Sequence, residues 1–117
     1  MATITKQILS GSTQGKSIQV TGDATAGAVT VHTAVGGTTD IDEIWVWASN
    51  TDASDIKLTI EWGNNDTLAD TLVVVVAGHS TELVVPGLVL QNGLVIEAFA
   101  GTASKINVFG YVNRLDY

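Results

Sequence analysis

The sequence contains no cysteine. That excludes disulfides, thiolate metal ligands and a cysteine nucleophile. Cations are scarce: Lys6, Lys16, Lys57, Lys105 and Arg114 stand against twelve acids, for a net charge of −7. Five scattered cations cannot form a stripe that tracks phosphates, so nucleic acid is excluded as a partner, and an anionic membrane surface with it. Charged residues make up 15 % of the chain and hydrophobic residues 45 %, the reverse of the balance that disorder requires. The longest unbroken apolar run, Leu72 to Ala77, is far too short to cross a bilayer. The opening Met-Ala-Thr-Ile-Thr-Lys-Gln-Ile-Leu has no apolar core of the length a secretion signal needs, so the chain is expected to be made and to fold in a cytoplasm. With no secretion signal, the glycosylation-type triplet Asn65-Asp66-Thr67 carries no meaning.

What remains is a chain of 117 residues rich in Val, Thr, Ala and Ile, with 12 glycines and one proline. Its length fits one domain with one modest core. No stretch repeats apolar residues at helical spacing, and the loop around 64–70 has room for one helical turn at most. Strand-like runs recur instead at 3–9, 16–21, 28–35, 43–50, 56–62, 71–77, 81–86, 94–100 and 105–113, separated by Gly-, Asn- and Asp-rich turns. Eight or nine short antiparallel strands joined by loops of mixed length predict an all-β sandwich of jelly-roll type. Asn92-Gly93 suits a two-residue turn with both φ angles positive, and is expected to close a hairpin pairing Leu90 with Val95. Pro86, with Gly87 behind it, belongs at a strand start, an edge or a bulge.

Ile56, Leu58, Ile60 and Trp62 alternate strictly and share a buried face. Ile44-Trp45-Val46-Trp47-Ala48, just before them, is apolar on both sides. With residues 51–55 as a loop, a hairpin sets Ala48 against Leu58, Val46 against Ile60 and Ile44 against Trp62. Trp45 and Trp47 then project outward beside Glu61, Thr59 and Lys57. A one-residue slip would bury both indoles instead. The first register matches every aliphatic with an aliphatic and makes Trp45, Trp47, Thr59, Glu61 and Lys57 the candidate partner-binding face. Aromatics within a polar rim mark protein interfaces and also sugar-stacking platforms.

No constellation points to catalysis or to a bound metal. The acids Asp40, Asp42, Glu43, Asp52, Asp55, Glu61, Asp66 and Asp70 read as solvated carboxylates, without the spacing of a calcium loop. A glycosidase would need two of them across a cleft that so small a chain rarely builds. His32, in the polar phase of a strand, and His79, in a Gly-His-Ser turn, read as surface residues. There is no Gly-x-Ser-x-Gly elbow, phosphate loop, dinucleotide fingerprint or His-Glu-x-x-His. The expectation is a protein without enzymatic activity or cofactor.

Ile60-Glu61-Trp62-Gly63, Leu83-Val84-Val85-Pro86-Gly87-Leu88, Asn92-Gly93, Ala98-Phe99-Ala100 and Phe109-Gly110-Tyr111-Val112-Asn113-Arg114 resemble a family of small virion proteins of tailed bacteriophages, over about residues 11–114. The resemblance implies a small β-sandwich made in the host cytoplasm and built into the particle. It implies a decoration or cement protein on the outer head surface, with the major capsid protein as partner. A tail or head–tail connector component is a close variant, and a carbohydrate-binding module is the alternative from another class. No catalytic residue carries over. The strands 44–48 and 72–77, apolar on both sides, call for a cover that another copy could supply. A homo-oligomer is expected, and the resemblance favours a trimer.

Overall fold

The computed structural model describes residues 2–65 and 68–117. Asp66 and Thr67, and with them part of the Asn65-Asp66-Thr67 triplet, lie outside the described residues. Nine strands form: β1 (Thr3–Ile8), β2 (Ile18–Gln19), β3 (Val29–Thr33), β4 (Ile41–Asn50), β5 (Ile56–Trp62), β6 (Thr71–Val76), β7 (Thr81–Leu90), β8 (Val95–Ala100) and β9 (Ile106–Asp116). Single 3-10 turns at Thr25–Gly27 and Leu68–Asp70 are the helical structure among the described residues. Each strand falls on a run of alternating or β-branched residues, bounded by the turn formers noted above.

The strands make two antiparallel sheets packed face to face. Sheet A has the order β1-β9-β4-β7, with β2 also paired to β9. Sheet B has the order β3-β8-β5-β6. If β1 and β2 are taken as one strand interrupted by residues 9–17, this is the eight-stranded jelly roll, in which the chain crosses repeatedly from sheet to sheet. The core lies between the sheets. Ile44, Val46 and Ala48 of β4, Leu58 and Ile60 of β5, Ile96 and Ala98 of β8, and Val108 and Val112 of β9 are all buried there.

The crossings overturn two expected hairpins. β4 and β5 do not pair: β4 lies in sheet A between β9 and β7, and β5 lies in sheet B between β8 and β6. The inward phase of Ile44, Val46 and Ala48 stands, but these residues meet Leu58 and Ile60 across the core rather than along a ladder. Residues 51–55 form an inter-sheet crossover held by Asn50. Its Nδ2 donates to the carbonyls of Ser54 (2.9 Å) and Val76 (3.0 Å), and its Oδ1 accepts from the Asp52 amide (2.9 Å).

The second case is Asn92-Gly93. Both residues have positive φ, 64° and 68°, as that turn chemistry requires. Yet the turn joins β7 of sheet A to β8 of sheet B, so Leu90 pairs with Asp42 and Val95 with Thr33. The amides of Asn92 and Gly93 donate instead to the carbonyls of Gly37 (2.8 Å) and Val35 (2.9 Å). Pro86 sits on an edge strand beside a bulge. The register of β4 against β7 jumps from Ile44–Leu88 to Trp45–Pro86, leaving Gly87 as the extra residue at φ +76°.

Candidate functional site

The outward side of sheet A can be read row by row from its register. Gln19, Asn107, Ser49 and Thr81 form a polar row at one end. The next row is Phe109, Trp47 and Leu83. Ile8, Tyr111, Trp45 and Pro86 follow. Then come Lys6, Asn113, Glu43 and Val89. Directly opposed residues in a sheet project to the same side, so the two middle rows make one apolar band across the sheet.

The band is ordered by its own contacts. Tyr111 lies between the two indoles, with ring centroids 6.4 Å from Trp45 and 6.0 Å from Trp47, both stacked. Lys6 Nζ stands 4.6 Å from the centre of the Tyr111 ring, a cation–π contact. Trp45 Nε1 donates to Glu43 Oε1 at 2.8 Å, and Asn113 Nδ2 donates to the same oxygen at 3.1 Å. These two bonds, Trp45 first, hold the Glu43 carboxyl below its ordinary value. Gly87 leaves room for the Trp45 ring, whose Cζ2 would lie 2.8 Å from a Cβ at that position. Trp45 and Trp47 are half-buried, while Phe109, Leu83 and Ile8 are 41 %, 44 % and 50 % exposed. The one cation and one anion of these rows are both engaged within the face.

The five residues expected to form one face are split between the two sheets. Trp45 and Trp47 project outward from sheet A as expected. Thr59, Glu61 and Lys57 lie on the outward side of sheet B, at the opposite surface of the sandwich. There Thr59 sits between Val73 and Phe99, and Glu61 between Thr71 and Glu97. Glu61 is buried rather than solvated, and its Oε2 accepts from Thr25 Oγ1 at 2.9 Å. A shallow cavity of about 230 Å³ adjoins it, walled by Thr25, Thr59, Leu68 and Phe99. Phe109, Tyr111, Ile8 and Leu83, which complete the aromatic band, were not anticipated. The alternation of Val108-Phe109-Gly110-Tyr111-Val112 carried the signal for two of them.

A second cluster corrects the reading of His32 and Asp42 as surface groups. Both are buried, 1 % and 0 % exposed. The cause at His32 is a bulge: β3 pairs Thr30 with Glu97 but His32 with Ile96, so Val31 and His32 both turn inward. The Ser10 amide donates to His32 Nδ1 at 3.0 Å, so Nε2 carries the ring proton and donates to Asp42 Oδ2 at 2.8 Å. Arg114, opposite Asp42 in the ladder, grips both carboxylate oxygens, Nε to Oδ1 at 2.7 Å and Nη2 to Oδ2 at 3.0 Å. The Val35 amide adds a fourth donor at 3.0 Å. Burial pushes the Asp42 carboxyl up, but Arg114, His32 and Val35 together outweigh it and hold the carboxyl below its ordinary value. Both ring nitrogens of His32 are committed to the fold, which leaves none to take a proton from a nucleophile.

His79 is exposed, at φ 54°, and Ser80 Oγ donates to the Ala77 carbonyl rather than to the neighbouring imidazole. Other acids latch loops: Asp40 Oδ1 accepts from the Tyr117 amide and Asp55 Oδ1 from the Gly78 amide. Among the described residues no group of three or more His, Asp or Glu side chains is placed to hold a metal ion, and no helix is long and apolar enough to cross a membrane.

No family model matches the chain, and no curated protein matches it. Among solved structures, the chain is similar to a chain of the structure described as that of infectious bursal disease virus, Gx strain. The likeness has a TM-score of 0.54 at 14 % identity and covers 98 % of this chain. It covers 33 % of the viral chain, so this sequence spans about a third of that protein's length. What the likeness shows is a shared fold.

Proposed function

We propose that this chain is a virion structural protein without catalytic activity, a decoration or cement protein that binds the outer surface of a capsid shell through the aromatic side of sheet A. The observation that carries this reading is the band of Trp45, Trp47, Tyr111, Phe109, Ile8 and Leu83, bordered by the polar row of Gln19, Asn107, Ser49 and Thr81 on one side and by Lys6, Asn113 and Glu43 on the other. An apolar centre with a polar rim, enriched in Trp and Tyr, is the anatomy of a protein-binding surface. The rings are fixed by stacking before any partner arrives, which lowers the ordering cost of binding. Two further supports are by analogy alone: jelly rolls recur in viral capsids, and the fold likeness is to a chain of a virus structure. The resemblance to phage virion proteins supplies the shell protein as partner and the virion as location.

A carbohydrate-binding module is the second reading, because stacked aromatics on a β-sandwich also serve as sugar platforms. Leu83→Asp separates the two. Leu83 sits on edge strand β7 with its side chain partly in water, so the variant keeps its fold. A charge set beside Trp47 within the apolar band is expected to weaken binding by about 30-fold, the scale of a 2 kcal/mol hot spot. The measurement is co-sedimentation with shells assembled from a tailed-phage major capsid protein. Undiminished co-sedimentation of Leu83→Asp contradicts the proposed face. Failure to bind shells, together with quenching of indole fluorescence by an oligosaccharide panel, replaces the reading with the sugar-binding one.

A further inference from the structure

We propose that β6 is a self-pairing edge, through which two copies of this chain join into one continuous sheet B. A sheet edge presents unpaired main-chain donors and acceptors and invites another strand unless something blunts it. Among the described residues the two sheets have four edges, formed by β7, by β3, by β1 with the two-residue β2, and by β6, and the first three are blunted. β7 carries Pro86 and two register breaks. β3 is short and bulged between Thr30 and His32. β1 has Lys6 in its middle. β6 reads Thr-Leu-Val-Val-Val-Val, with no charge, no proline and no register break against β5.

The hydrogen bonds of β5 show which residues of β6 face the open side. The Gly101 amide donates to the Lys57 carbonyl and the Gly63 amide to the Val95 carbonyl. Odd-numbered residues of β5 therefore turn their main chain toward β8. Even-numbered ones turn toward β6, where they meet Leu72, Val74 and Val76. Val73 and Val75 are left directing their N–H and C=O groups at the open edge. Their side chains are 56 % and 59 % exposed.

An extended strand is what these groups can accept, and a second β6 meets the requirement. Antiparallel pairing about a two-fold axis at Val74 sets Val73 against Val75 of the second copy, and Val75 against its Val73. The pairing is odd to odd, so the pleats agree and four reciprocal main-chain bonds form. It also gathers four half-exposed valines into one patch. At −7 each, two copies repel in general, but β6 brings no acid to the contact, and its neighbours on the outward side are Lys57 and Thr59. The contact is isologous and closes at two copies. It leaves the aromatic side of sheet A open, so it does not depend on the function proposed above.

Light scattering together with amide hydrogen exchange on the full chain tests this. The expected result is a mass of twice 12.2 kDa, with slow, concentration-dependent exchange at the Val73 and Val75 amides. Val73→Lys, a change at an exposed side chain, is expected to raise the dissociation constant at least tenfold, and Val75→Lys to do the same. Trp47→Ala is expected to leave the mass unchanged. A monomer at the highest soluble concentration overturns the proposal. So does a trimer, or any assembly in which the Val73 and Val75 amides exchange as fast as in the dilute chain.

Discussion

Replacing Asp42 by Ala is expected to cost about 3–5 kcal/mol of folding stability, the range seen when one partner is removed from a buried ion pair. The reason is what the change leaves behind. The guanidinium of Arg114 loses both its bonds, and the His32 Nε2–H and Val35 amide lose their acceptor inside the sandwich. A stranded buried donor costs more than the bond it made. Against a total of roughly 5–15 kcal/mol for an ordinary domain, such a loss brings the chain close to unfolding at room temperature. Urea denaturation followed by fluorescence reads it directly, and a loss below about 1 kcal/mol would show that the cluster does not hold the sheets. The same carboxyl gives the acid limb its direction. It titrates lower in the folded chain than in the unfolded one, where the ordinary value is 3.8. Its contribution is therefore complete above that value and is lost as pH falls below it, through the lower folded value. Asp42→Asn should accordingly flatten the fall in stability below pH 3.8.

The second large effect is expected at Gly110. It pairs with Val46, between Phe109 and Tyr111 on β9. A Cβ there would stand 2.0 Å from the Trp45 carbonyl oxygen and 3.1 Å from the Val46 Cα. Both atoms are main chain of an interior strand and cannot swing aside. Gly110→Ala is expected to cost about 3 kcal/mol, the upper part of the range for overpacking, because relief requires the two strands to part. It should also disturb the Trp45–Tyr111–Trp47 stack, so indole emission should shift along with the thermal midpoint. An unchanged midpoint would mean that the strands separate there at no cost.

The strands were legible because alternation and turn residues are local. Trp45 and Trp47 were placed outward correctly because Ile44, Val46 and Ala48 share a phase with nothing polar between them on that side. Their neighbours were not legible. Among the described residues, β5 and β6 are the one pair of strands consecutive in the chain that are also bonded to each other, and the other ladders join strands distant in sequence. Asn92-Gly93 shows the limit clearly: its φ values follow from its residues, but which sheet the next strand enters does not. His32 escaped because a bulge reverses the phase after Val31, and nothing local marks the bulge. Asp42 was legible in principle. It shares the inward phase of Ile44, Val46 and Ala48, as Arg114 shares that of Val112, and an acid and a base on two inward phases is the mark of a buried cross-strand pair.

The proposed function requires the aromatic side of sheet A to be covered by another protein. Trp47→Ala tests it with two readings on one variant: urea denaturation of the isolated chain and co-sedimentation with capsid shells. Trp47 is half-buried on the outward side, so its removal is expected to lower the stability of the isolated chain by well under the roughly 3–5 kcal/mol typical of a core Trp. Binding to shells should fall by about 30-fold or more, as for a central aromatic anchor. A large loss of stability in the isolated chain, with binding by the surviving folded fraction unchanged, would contradict the account and make Trp47 a packing residue.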